Sequence, residues 1–228
     1  MQEASGHTVY GYLTQPEVRF LDAVAARLIP ADELGPGAKE AGVTCFIDRQ
    51  LTSVWGSHGR NYRMGPWPEG TPQQGFQSRL TPREIYRAGI RETNVYCLKQ
   101  YRKAFEFLAP QQQDEVLKGL EGGIVELVSL SSKLFFGLLM RNTMEGFFGD
   151  PIYGGNRDKV GWKLIGFPGV PASNYNDLID EHNVPYRVEP VSILDIQQGR
   201  VKLDSQGLPK HVRVKNAEGE NGRWQPPG

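Results

Sequence analysis

An apolar run of seven residues, Leu134 to Met140, leads into a segment crowded with glycine, proline and aromatic side chains. That junction constrains the fold more than any other feature. A helix that is apolar on nearly every side belongs in the middle of a bundle. The segment Phe148 to Gly169 carries six glycines, two prolines and four aromatic residues. Glycine opens backbone conformations closed to other residues, and proline fixes φ and removes a donor. Tyr153, Trp162 and Phe167 in such a frame imply a loop of defined shape that packs against something. A disordered linker would carry Ser, Glu and Lys instead, with few aromatics.

Around this centre five helices are expected. Thr14-x-x-Glu17 is a capping-box pattern, and Val18, Leu21, Val24, Ala25 and Leu28 recur at helical spacing until Pro30. A second helix, about Ala38 to Trp55, puts Val43, Phe46, Ile47, Leu51 and Val54 on one face. Gly56 to Gln77 is then long for a structureless connection, which points to function or partner contact. Thr81-Pro82-x-Glu84 starts the third helix, with a stripe running from Ile85 through Cys97 to Leu108. Ala109-Pro110 breaks it, Gln111 to Leu120 forms the fourth, and Ser132 to Phe148 the fifth. A short helix at Asn174 to His182 and extended runs at Pro190 to Leu194 and His211 to Val214 complete the reading. The expected fold is all-α: a single bundle of about five helices with long Gly/Pro/aromatic loops. Residues 1–13 are expected to be disordered or extended, 14–183 to form the helical domain, and 184–228 an irregular C-terminal arm, draped over a surface and in part a hairpin.

Composition narrows the function classes. Lys plus Arg and Asp plus Glu number 26 each, so no net field draws the chain to nucleic acid or an anionic membrane. No apolar run approaches the ~18 residues needed to span a bilayer. The N-terminus has no basic region followed by an apolar one, which fits a cytoplasmic chain or one whose signal has been removed. Two cysteines, Cys45 and Cys97, are too few for a disulfide framework or a structural zinc site. They read as buried reduced thiols, with one disulfide between them as the alternative.

No dinucleotide, Walker, nucleophile-elbow or zincin motif occurs. The four histidines, His7, His58, His182 and His211, all fall in expected loops or tails and read as solvated. Gly154-Gly155-Asn-Arg157 suits an anion cradle, but a helix precedes it where such a loop needs a strand. Glu145, Asp150 and Asp158 offer a hydrolase its acid and base, although carboxylates at a helix end more often cap it or pair with Arg141, Arg157 or Lys159. Arg60-Asn-Tyr-Arg63 with Trp67 mixes base and aromatic like a stacking platform, yet zero net charge favours a protein contact. No catalytic, cofactor-binding or metal-binding residue is assigned to the chain.

The blocks Asn142 to Phe148, Asp150 to Arg157 and Gly161 to Gly169 resemble the hallmark of the gluconate 2-dehydrogenase subunit 3 family. Gly59 to Arg63, Pro68 to Pro72 and Gly75-Phe76 are similar to its gluconate-type branch, and the likeness runs from about Pro16 to Ile193. The resemblance implies a non-catalytic small subunit of a membrane-associated, FAD-dependent sugar or sugar-acid dehydrogenase, within a heterotrimer. It implies as partners a flavoprotein large subunit holding FAD and a multihaem cytochrome c subunit, with an iron–sulfur cluster as a further group of the large subunit. It also implies maturation and twin-arginine export of the large subunit to the periplasm, where the complex contacts the membrane indirectly. A twin-arginine segment is absent here, a departure from the pattern. Tyr153, Trp162, Phe167 and Trp67 are the expected subunit-interface anchors, with Arg157 and Arg63 as their charged companions. A stand-alone binding or chaperone protein and a carboxylate-using hydrolase are the alternatives.

Overall fold

The first helix, α1 (Gln15–Leu28), begins where Thr14 gives both its amide and its hydroxyl to the Glu17 carboxylate, each at 2.8 Å. The same device starts α4 (Pro82–Tyr101), where the amide and hydroxyl of Thr81 donate to Glu84 at 2.7 and 2.8 Å. Proline in the first turn of each loses an amide that has no intrahelical acceptor anyway. The computed structural model describes residues 9–60, 62–68, 70–74, 78–170, 188–203, 205 and 207–210. Among these the regular structure is all helical, with three isolated bridges and no strand.

The expected second helix divides. Its body is α2 (Val43–Thr52), and a single turn, α3 (Val54–Ser57), follows. Gly42, at φ +75°, delays the start, because a left-handed residue cannot continue a right-handed turn. Ser53 is extended and turns its hydroxyl on the Trp55 amide, so it closes α2 and caps α3. Helices α5 (Pro110–Gly122) and α6 (Ser132–Phe148) follow the expected bounds closely.

Helix α6 is central, as its composition demands: it touches α1, α2, α4, α5 and α7 (Val160–Ile165). Phe135 is its hub, stacked with Phe20 at 6.5 Å and meeting the Tyr86 ring edge-on at 6.0 Å. Gly89 of α4 makes room for it, since a Cβ there would lie 2.6 Å from the Phe135 ring. At the other end of α6, Gly146 admits Phe46 in the same way. The core therefore sets how far apart the helices sit through two glycines facing two phenylalanines.

Several expectations need correction or fall outside, and the third helix, expected to run to Leu108, stops at Tyr101 because Arg102 is left-handed at φ +60°. The run Pro190 to Leu194 is extended only to Ser192, whose hydroxyl caps a short helix, α8 (Ile193–Gln197). His58 is 9% exposed, not solvated, and burial beside Arg63 lowers its pKa. Both cysteines are free thiols, as the first of the two readings has it, but only Cys97 is fully buried, which pushes its pKa up to about 12, while Cys45 is half-buried. The helix expected at 174–182, the run 211–214, and His7, His182 and His211 lie outside the described residues.

Candidate functional site

Beyond Phe148 the chain does not form one irregular loop. It winds through two 3-10 turns, Pro151–Tyr153 and Arg157–Lys159, into α7. Asp150 fastens the first turn: one carboxylate oxygen takes the Ile152 amide at 2.9 Å, the other the Ile193 amide at 2.8 Å. Asn156 fastens the second. It is fully buried, its amide group donates to Gly149 O, and its oxygen accepts from the Gly161 amide, both at 2.9 Å. Asn156, Asp158 and Lys159 all have positive φ. Non-glycine residues held there store of order 1–3 kcal/mol each, so the surrounding contacts must dictate the shape.

The glycines of this block are there for close approach. A Cβ on Gly155 would lie 2.2 Å from Gly146 O, and one on Gly161 would lie 2.1 Å from Phe147 O. Helix α7 therefore presses backbone to backbone on the end of α6. Trp162 is only 5% exposed, and its indole nitrogen donates to Phe148 O at 2.6 Å. Phe167 meets the Trp162 ring edge-on at 5.2 Å and remains 39% exposed. Tyr153 is 53% exposed. Of the three aromatics singled out in this segment, one is buried support and two are presented to solvent.

The C-terminal part of the chain returns here. The Val170 amide donates to Val191 O at 2.8 Å and the Val191 amide to Pro168 O at 3.0 Å, a parallel bridge between Gly169 and Val191. Lys159 pairs with Asp195 at 3.1 Å, Arg200 with Asp195 at 3.0 Å, and Lys163 with Glu189 at 3.0 Å. Burial alone would raise the Asp195 pKa, but hydrogen bonds from Ser192 and Lys159 outweigh it and hold the carboxyl below its ordinary value. These groups line a cleft of about 540 Å³ that also includes Cys45, Arg49 and Arg157.

The other expected interface loop lies elsewhere. Arg63 donates to Arg79 O at 2.6 Å, and Trp67, 39% exposed, lines a groove of about 1100 Å³ with Ser131 and Leu134. Ser131 and Leu134 begin α6, whereas Tyr153, Arg157, Trp162 and Phe167 follow its end. At 1.5 Å per residue the two groups are about 25 Å apart along the helix. The structure therefore brings four of the six expected residues into one block and sets Trp67 and Arg63 at the opposite end.

The carboxylates considered for hydrolysis have structural partners or none. Both oxygens of Asp150 hold backbone amides, and Glu145 accepts from the Asn142 amide at 2.9 Å. Asp158 is exposed and pairs with neither Arg157 nor Lys159. Among the described residues no group of three or more His, Cys, Asp or Glu is placed to hold a metal ion, and no helix is long and apolar enough to cross a membrane. An apolar groove of about 430 Å³ between the Ile29–Pro36 turn and α7 escaped the sequence reading. Leu34 and Leu164 line it and are exposed. The spacing of Val160 and Leu164 was the available signal, masked by the flanking glycines.

These features define a helical protein whose distinctive surface is a rigid, glycine-seated turn block at one end of its central helix. The chain belongs to the gluconate 2-dehydrogenase subunit 3 family, whose sequence model matches residues 15–169. It is thus a subunit of such a dehydrogenase complex and associates with other dehydrogenase subunits. No curated protein and no solved structure matches the chain.

Proposed function

We propose that this chain is the non-catalytic small subunit of a periplasmic, membrane-associated, FAD-dependent gluconate 2-dehydrogenase-like complex. It binds and stabilises the flavoprotein large subunit and supports its maturation and twin-arginine export. A multihaem cytochrome c subunit completes the heterotrimer. FAD and haem c belong to those partners, as does any iron–sulfur cluster.

One observation carries this reading. The 150–169 block turns the Asp150 carboxylate, the Asn156 amide and the Trp162 indole inward to hold its own strained shape, and leaves Tyr153 and Phe167 outside. Stiff aromatics on a rigid frame bury much area on binding and lose little conformational freedom in doing so. Trp162 acts from beneath, as the prop for Phe167. Trp67 and Arg63 offer a second contact at the far end of α6.

Purification with and without the co-expressed flavoprotein tests the proposal. The expected result is a yellow complex that reduces dye, with the lone chain colourless and inactive. A chain that never retains a flavoprotein would favour the stand-alone chaperone, and activity of the lone chain would favour the hydrolase.

A further inference from the structure

The cleft beside Gly154 carries five cationic and three anionic side chains in a chain whose net charge is zero. Three of those cations are already matched, Lys159 and Lys163 with Glu189, and Lys159 and Arg200 with Asp195. Arg49 and Arg157 are not. Both are exposed, and neither forms an ion pair among the described residues. Arg49 gives only Nη1, to Ile152 O at 3.0 Å.

Glycines seat both side chains. A Cβ on Gly154 would lie 2.8 Å from Cδ and Nε of Arg49, and one on Gly42 would lie 3.3 Å from Nη2 of Arg157. Gly42 and Gly154 both have positive φ, at +75° and +100°, so their conformation and their lack of a side chain serve one geometry. The Arg157 amide donates to Ala41 O at 2.9 Å, which ties the two arginine-bearing segments together. Two guanidinium groups, one on helix α2 and one on the Arg157–Lys159 turn, with most donors unfilled, match the planar, two-oxygen geometry of carboxylates.

We infer that this cleft receives an acidic surface segment of the flavoprotein subunit, gripped by Arg49 and Arg157. The inference rests on the function proposed above and names the chemistry of its partner. Charge complementarity is the argument for that occupant: a local excess of two positive charges on a neutral chain selects an anionic surface and speeds encounter with it. Asp158, at the same cleft and exposed, sets a limit on the partner's charge density by repelling carboxylates that approach from its side.

The test measures the affinity of the co-expressed flavoprotein for wild type, Arg49→Glu, Arg157→Glu and Arg157→Lys at low and high salt. Each reversal is expected to weaken binding by about tenfold or more. Wild-type affinity falls with salt, the reversals flatten that dependence, and Arg157→Lys recovers part of the loss. Thermal midpoints of all variants stay near wild type, because both side chains are exposed. Equal affinity and equal salt dependence in wild type and reversals would overturn the inference while leaving the proposed function standing. Binding to phosphatidylglycerol vesicles that Arg157→Glu abolishes, with flavoprotein affinity unchanged, would overturn it in favour of a membrane contact. A wild-type chain that binds no flavoprotein removes the proposed function and the inference together.

Discussion

Asp48 lies in α2 with both carboxylate oxygens turned on the segment before α1, taking the amides of Gly11 at 2.7 Å and of Tyr12 and Leu13 at 2.9 Å. One side chain thus supplies the acceptors for three backbone donors that precede a helix. Asp48→Ala leaves them stranded in a buried site, at roughly 1–3 kcal/mol for each group that water cannot reach. The Leu13 amide is the most enclosed, so a total loss of about 3 kcal/mol is expected in urea denaturation. A change under about 0.5 kcal/mol, the usual surface effect, would show that the clasp adds nothing. Asp195 supports a pH prediction. Its folded pKa is depressed, so its stabilisation is present above the ordinary carboxylate value near 4 and is lost as pH falls through the folded value. Asp195→Asn should therefore lower the thermal midpoint at neutral pH and narrow the gap to wild type as the solution is acidified below about 4. A gap that is constant from pH 7 to the acid limit would refute the assigned linkage.

At the scale of elements, α7 is where sequence and structure part most clearly. Helices α1 and α4 were legible because Thr-Pro-x-Glu and Thr-x-Pro-Glu patterns announce a first turn through local hydrogen bonds alone. Helix α6 was legible because a run such as Leu134 to Met140 has only one place to go. Helix α7 spans six residues, contains Gly161 and ends at Gly166, so propensity argues against it. It forms because Gly161 must meet the Phe147 carbonyl, a contact between segments that no local pattern encodes. The Arg49–Ile152 contact and the Lys159–Asp195 pair were missed for the same reason, since each joins residues more than thirty positions apart. The prediction that belongs here is Gly161→Ala. Alanine is the better helix former by about 1 kcal/mol, so local propensity says stabilisation. The clash with Phe147 O says the reverse, and overpacking typically costs 1–3 kcal/mol. A lowered thermal midpoint supports backbone contact as the cause of α7, and a raised one would refute it.

For the whole molecule the central question is which end of α6 meets the proposed flavoprotein partner. A standard interface covers about 800 Å² on each partner, a patch roughly 30 Å across, so one partner can reach both ends only if they share a face. The 150–169 end has two exposed aromatics on a hydrogen-bonded turn frame, the seated arginine pair and the apolar groove beside α7, whereas the Trp67 end exposes Tyr62, Met64 and Trp67 on irregular backbone beside a wide groove. Anchors cluster near the middle of an interface, where water is excluded, and their truncation costs about 2 kcal/mol or more. A double variant Tyr153→Ala/Phe167→Ala should therefore weaken flavoprotein binding by about thirtyfold or more, while Trp67→Ala alone changes it by a factor of about three. Trp162→Ala is unsuited to the comparison, because removing a buried indole costs several kcal/mol of fold stability and confuses binding with unfolding. Helical content of the double variant, read by circular dichroism, should match wild type, since both rings lie outside the core. If Trp67→Ala proves the more damaging change, the proposed flavoprotein partner docks at the start of α6, and the turn block must then face another subunit or solvent.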